Sequence, residues 1–97
     1  MPTFVSLINW TDQGIHAFDE SLQRSAAAKE LAQRFGGSLD DTYWTVGQYD
    51  LVAIATFPDD ETATAFMLAL GSQGNVRTQT LRAFNADEMA AITKKIK

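Results

Sequence analysis

The sequence predicts an α+β fold: one antiparallel sheet of four strands, helices against one face, and a further helix after the last strand. Three observations lead there. Apolar spacing switches between the strand period and the helix period in the order βαββαβ. Each switch is marked by Gly, Asp, Asn or Thr suited to a turn or a cap. One stretch, Leu51 to Phe57, is apolar on both of its alternating sides, as a strand covered on both faces must be.

Thr3 to Trp10 is rich in β-branched and aromatic residues and reads as the first strand. Thr11 and Asp12 are N-cap candidates, after which Ile15, Phe18 and Leu22 recur at helical spacing. A second stripe follows in Ala28, Leu31, Ala32 and Phe35. At ~100° per residue the two stripes point about a third of a turn apart, so one straight helix cannot bury both. A break near Ser21 to Ser25 is therefore expected, leaving a short first turn and then the main helix. Gly36-Gly37 ends that helix.

Leu39 to Val46 reads as the second strand, Gly47-Gln48-Tyr49-Asp50 as a tight turn, and Leu51 to Phe57 as the third strand. So short a link makes an antiparallel hairpin. Pro58-Asp59-Asp60-Glu61 opens a helix with acids in its first turn, where the helix dipole favours them. Its inward face is Ala63, Phe66, Met67 and Leu70, and Gly71 and Gly74 close it. Val76 to Phe84 is the fourth strand, and Asn85-Ala86-Asp87-Glu88 has the capping-box pattern ahead of a last helix with Met89, Ile92 and Ile96 inward. The result is the split βαβ arrangement of ferredoxin-like folds. No linker or composition shift divides residues 1–97, so they read as one domain.

Both crossover helices of such a unit lie on one side of the sheet. The other side must be wet or covered, and Leu51 to Phe57 decides between these. Leu51, Ala53, Ala55 and Phe57 point one way, Val52, Ile54 and Thr56 the other, and neither side is polar. The first strand repeats this less strongly, with Phe4, Ile8 and Trp10 on one side and Val5 and Leu7 on the other. At ~25 cal/mol per Å² of apolar area, leaving such a face in water forgoes several kcal/mol. Either the C-terminal helix folds under and covers it, or a second copy of the chain does, and a homo-oligomer is the stronger expectation.

Composition narrows the function classes. The 45% apolar and 21% charged content is that of an ordinary globular protein. A net charge of −4, with no concentration of Lys and Arg, argues against nucleic acid as a partner. The lysines at 94, 95 and 97 sit at a helix C-terminus, where positive charge is favoured. The absence of cysteine removes disulfides and thiolate metal sites, and fits a cytoplasmic setting. No apolar run spans a bilayer, so no membrane role is expected. The acidic clusters Asp40-Asp41 and Asp59-Asp60-Glu61 lack the spacing of a calcium loop, and no metal site is expected. Nor is there a phosphate-cradling loop, a dinucleotide fingerprint or a nucleophile triad, so no cofactor is expected.

The hairpin Gly47-Gln48-Tyr49-Asp50, with Asn9-Trp10-Thr11, Gln13-Gly14, Tyr43-Trp44-Thr45 and Asn75-Val76-Arg77-Thr78, resembles the GYD-domain family, named for its Gly-x-Tyr-Asp turn. The motifs fall in the family's order along essentially the whole chain. One departure is Leu22, where the family often carries a proline that starts the main helix. The family is similar in layout to dimeric α+β barrels, in which two such sheets pack face to face. The resemblance implies an oligomer of that kind and supplies no activity.

Six side chains are candidates for a ligand site: Trp10, His16, Tyr43, Tyr49, Asp50 and Arg77. His16 is the sole histidine, either a base at the mouth of an intersubunit cavity or a surface residue of a first helical turn. Tyr49 and Asp50 either flank a ligand or hold the hairpin, Asp50 accepting from turn amides and Tyr49 covering the turn. Trp10, Tyr43 and Trp44 end neighbouring strands, and of the last two only one can face any given pocket. Arg77 shares a face of the fourth strand with Gln79, while Thr78, Thr80 and Arg82 share the other. It suits an anionic or carbonyl-bearing ligand, or serves to protect an edge strand from stray pairing. The function expected is a homo-oligomer binding a small molecule at or near the sheet face without catalysis. The alternative is a cofactor-free isomerase or monooxygenase acting on small carbonyl or aromatic compounds. A purely structural interaction module is the third reading. They differ in whether His16, Tyr43, Asp50 and Arg77 converge on one concavity.

Overall fold

A computed structural model describes residues 1–96; Lys97, counted above with the C-terminal lysines, lies outside the described residues. The strands are β1 (Thr3–Trp10), β2 (Ser38–Trp44), β3 (Leu51–Thr56) and β4 (Val76–Ala83). The helices are α1 (Asp12–His16), α2 (Ser21–Arg34), α3 (Asp60–Ser72) and α4 (Ala86–Lys94). All pairings are antiparallel in the order β2-β3-β1-β4, which is the expected ferredoxin-like sheet with β4 at an edge.

The core lies between the sheet and the pair α2 and α3. Phe4, Ala55 and Phe57 rise from the sheet to meet Ala32, Ala63 and Phe66. The Phe57 and Phe66 rings stand 5.0 Å apart, and Phe35 meets Phe66 edge-on at 6.1 Å. Both expected stripes of α2 and α3 face this core: Ala28, Leu31 and Phe35 from one, Met67 and Leu70 from the other. Alanines at 32, 53, 55 and 63 are each at most 3% exposed, so the helices approach the sheet closely. Gly36 ends α2 with φ of 78°, and Asp59 caps α3 by accepting the Thr62 N–H at 2.7 Å. Hydrogen bonds from the Thr62 side chain and then its backbone hold the Asp59 carboxyl below its ordinary value.

Several expectations need correction. The helix break falls at Ala17, ahead of Ser21 to Ser25: a 3₁₀ turn over Phe18–Glu20 separates α1 from α2. The Arg24 guanidinium explains the position, donating to the carbonyls of Gly14 and Ala17 at 3.1 and 2.9 Å and closing the end of α1. Ile15, Phe18 and Leu22 do not reach the core and are exposed. The hairpin turn is not tight: residues 45–50 form the loop, closed by Thr45 N–H donating to the Asp50 carbonyl at 2.8 Å, and Val46 lies outside β2. Asp50 accepts not from the turn but from the Trp10 N–H on β1, at 2.9 Å. Finally, Met89 and Ile96 are exposed and Ile92 is half-buried, because α4 leaves the sheet without covering either face. Phe57 and Phe84 fall one residue past their strands, and Phe57 remains fully buried.

Candidate functional site

Register alone defines the face that α2 and α3 leave open. Val5 stands between Ile54 and Leu81, and Leu7 between Val52 and Gln79. Tyr43 extends the second row beyond Val52, and Asp41 extends the first beyond Ile54. The face thus has an apolar centre of Val5, Leu7, Val52, Ile54 and Leu81. One end is bounded by Thr3, Thr56 and Ala83, the other by Asn9 opposite Arg77. Leu81 is 51% exposed and Tyr43 57%, while the central residues are half-buried only by their neighbours in the sheet.

The six candidates divide by place. Tyr43 and Arg77 are on the open face, on opposite edge strands. Tyr49 joins them: its phenol donates to Gln79 Oε1 at 2.9 Å, so the side chain crosses β1 to reach β4. That bond gives Tyr49 a defined task, bridging the hairpin loop to the far edge strand. Asp50 is engaged with the backbone, its carboxylate accepting from Trp10 N–H and its own N–H donating to the Ile8 carbonyl, and it extends the β1–β3 contact one residue ahead of Leu51, where β3 begins. Trp10 belongs to the opposite side of the sheet, packed with Ile8, Leu51 and Val76. His16 is exposed in the last turn of α1, off the sheet altogether. Tyr43, Tyr49 and Arg77 therefore share a face, His16 and Trp10 lie elsewhere, and the Asp50 carboxylate is taken up by the Trp10 N–H.

Sequence reasoning placed Gln79 beside Arg77 without foreseeing its bond to Tyr49, and it passed over Ser6. Ser6 is 1% exposed on the helix side, with its hydroxyl 3.0 Å from Thr80 Oγ1 and 3.7 Å from Met67 Sδ. Its signal was a lone hydroxyl inside an apolar strand. Beside it lies a cavity of about 70 Å³ between the sheet and α2 and α3, lined by Ser6, Trp10, Ala28, Leu51 and Met67 among others. That is small against the ~300–1,000 Å³ of ordinary ligand pockets. Among the described residues no three His, Asp or Glu side chains gather as a metal site would require, and no helix is long and apolar enough to cross a membrane.

A family model described as the GYD domain matches residues 4–93. Over 95 residues the chain is 34% identical to a Thermus thermophilus protein named glutamine synthetase and cystathionine beta-lyase binding protein, covering 97% of this chain and all of that one. A crystal structure of a Thermus thermophilus protein superposes with a TM-score of 0.58 at 28% identity, over 89% of this chain and 96% of that one. The feast or famine regulatory protein of M. tuberculosis, complexed with L-methionine, superposes with a TM-score of 0.68 at 15% identity, over 89% of this chain. The match spans only 52% of that regulator's length, and at such identity the likeness is one of fold.

Proposed function

The chain belongs to the GYD-domain family, and we propose that it is a binding protein with no reaction of its own, which pairs with a second copy through the open sheet face and docks onto another protein. The observation that carries this reading is the uncovered apolar centre, Val5, Leu7, Val52, Ile54 and Leu81, ringed by polar and aromatic side chains. An apolar core inside a polar rim is the anatomy of an interface. The relative named for binding glutamine synthetase and cystathionine beta-lyase supports enzymes of that kind as the partner class.

A small molecule held where the two open faces meet is the second reading. It is favoured by the grouping of Tyr43, Tyr49, Gln79 and Arg77 at one end of that face. The cofactor-free enzyme has less support, because His16 lies off the sheet.

Sedimentation velocity on the wild type and Ile54→Glu tests the assembly. A dimer is expected for the wild type and a folded monomer for the variant, since a carboxylate at the centre of the face cannot be buried unpaired. Biolayer interferometry against purified glutamine synthetase and cystathionine beta-lyase tests the partner, and native mass spectrometry reports any retained small molecule. A wild type that stays monomeric at tens of micromolar and binds neither enzyme would sink the proposal.

A further inference from the structure

Among the described residues, two exposed apolar surfaces besides the open face lie at opposite edges of the sheet. One is the stripe Met89, Ile92 and Ile96 on and just past α4, with Met89 50% and Ile96 83% exposed. The other is an open groove of about 320 Å³ between α2 and β2, floored by Leu22, Ala26, Leu39 and Trp44. Here Leu22 is 69% and Trp44 42% exposed. We propose that each copy's α4 docks into the α2–β2 groove of its partner, so that the dimer is clasped at both edges; this rests on the open-face pairing described above.

Four observations fit this occupant. The first is area. Four strands ~4.8 Å apart and some 26 Å long present roughly 500 Å² per copy, whereas a stable interface takes about 800 Å² from each partner. A further contact of a few hundred Å² brings the footprint to that size, and a one-stripe helix in a groove supplies it. The second is fit. Nine helical residues span about 13 Å, and the stretch of β2 from Asp40 to Trp44 along the groove has about the same length.

The third is charge. α4 begins with Asp87 and Glu88 and ends with Lys94 and Lys95, while the groove rim carries Lys29 on α2 and Asp40 and Asp41 on β2. The last is symmetry. If the open faces pair about a twofold axis parallel to the strands, the order β2-β3-β1-β4 is reversed in the second sheet and β4 of one copy lies over β2 of the other. In its own chain α4 departs from β4, at the edge opposite the groove. Its departure is held by Arg82, whose guanidinium lies 4.3 Å over the Phe84 ring, and by the reciprocal capping box of Asn85 and Glu88.

The chain has no cysteine of its own, which makes cross-linking specific. Ala26→Cys and Ile92→Cys are placed on separate chains, mixed, and oxidised mildly, with Ala65→Cys on the exposed face of α3 replacing Ala26→Cys as the control. A disulfide between the Ala26→Cys and Ile92→Cys chains, well above the control, is expected. In the cysteine-free background, Ile92→Glu should raise the dimer dissociation constant by on the order of tenfold or more while leaving the circular dichroism spectrum unchanged. Sedimentation of the unmodified chain separates the two levels of failure. If it is monomeric, the open-face pairing falls and this proposal with it. If it is dimeric but the cross-link does not exceed the control, or Ile92→Glu leaves the constant unchanged, the clasp alone is overturned. A disulfide formed within one chain carrying both substitutions at high dilution overturns it as well.

Discussion

Gly14 is the position where a single added carbon should do most damage. It is buried at α1, against the loop that leads into β4. A Cβ there would lie 2.0 Å from the Asn75 carbonyl oxygen and 2.9 Å from its carbon, and both are backbone atoms. Relief requires α1 and the start of β4 to part by more than an ångström. That motion strains the bond from Thr11 N–H to the same Asn75 oxygen, now 3.1 Å, and the Thr11 hydroxyl bond to Gly74. It also disturbs Gln13, whose amide reaches the Gln73 carbonyl and Asn75 Oδ1 at 3.1 and 2.9 Å. Overpacking of this kind costs ~1–3 kcal/mol, and each part-buried hydrogen bond lost adds about 1 kcal/mol. Gly14→Ala should therefore destabilise by roughly 2–4 kcal/mol, a fall in Tm of roughly 10–20 °C for a domain of this size. The control is Gly71→Ala, because nothing lies within 4 Å of a Cβ at that helical position in α3. It should raise stability by up to about 1 kcal/mol through helix propensity. Thermal unfolding by circular dichroism at one fixed protein concentration measures both, since the proposed dimer would make Tm concentration-dependent. A Gly14→Ala protein melting with the wild type, or both variants falling equally, would refute the reasoning.

Asp50→Ala removes the acceptor for Trp10 N–H and should cost about 1–3 kcal/mol. Asp50→Asn keeps an acceptor oxygen and should recover most of that in urea titrations. The cap at Asp59 gives a pH signature. Its folded pKa is depressed, so its stabilisation is complete above the ordinary carboxylate value of ~3.9 and is lost as pH falls through the folded pKa. The Tm gap between wild type and Asp59→Ala should be open at pH 7 and close in acid, whereas Asp59→Asn should show little gap at any pH. Tyr49→Phe removes only the bond to Gln79 at the surface and should shift stability by less than about 1 kcal/mol. A larger change in the binding of a partner or small molecule by that variant would mark the Tyr49 end of the open face as the contact.

Much of the fold was legible because it is written in local patterns. Alternation in Leu51 to Phe57 gives two apolar sides, and the register places Leu51, Ala53 and Ala55 on the helices and Val52 and Ile54 on the opposite side. The stripes of α2 and α3, the glycine stop at Gly36 and the capping box at Asn85 depend on neighbours within a few residues, and each lies where periodicity and capping chemistry put it. The candidate site was legible only in part. That Tyr43 and Trp44 face opposite ways follows from strand geometry, as does the sharing of a face by Arg77 and Gln79.

What lay outside local pattern needed contacts between distant segments. Asp50 is paired with an N–H 40 residues away, and Tyr49 reaches a glutamine 30 residues on. Neither partner can be inferred from a turn motif, because the sheet order brings them together. The helix break sits at Ala17 because Arg24 reaches back to two carbonyls, whereas the apolar stripes specify only that a break exists. The same limit explains α4. Its apolar spacing says that Met89, Ile92 and Ile96 need cover, but spacing is blind to where that cover comes from. A sequence states which surfaces must leave water; only the packed chain decides which of them it buries within itself, since that depends on the position of every other element around the sheet.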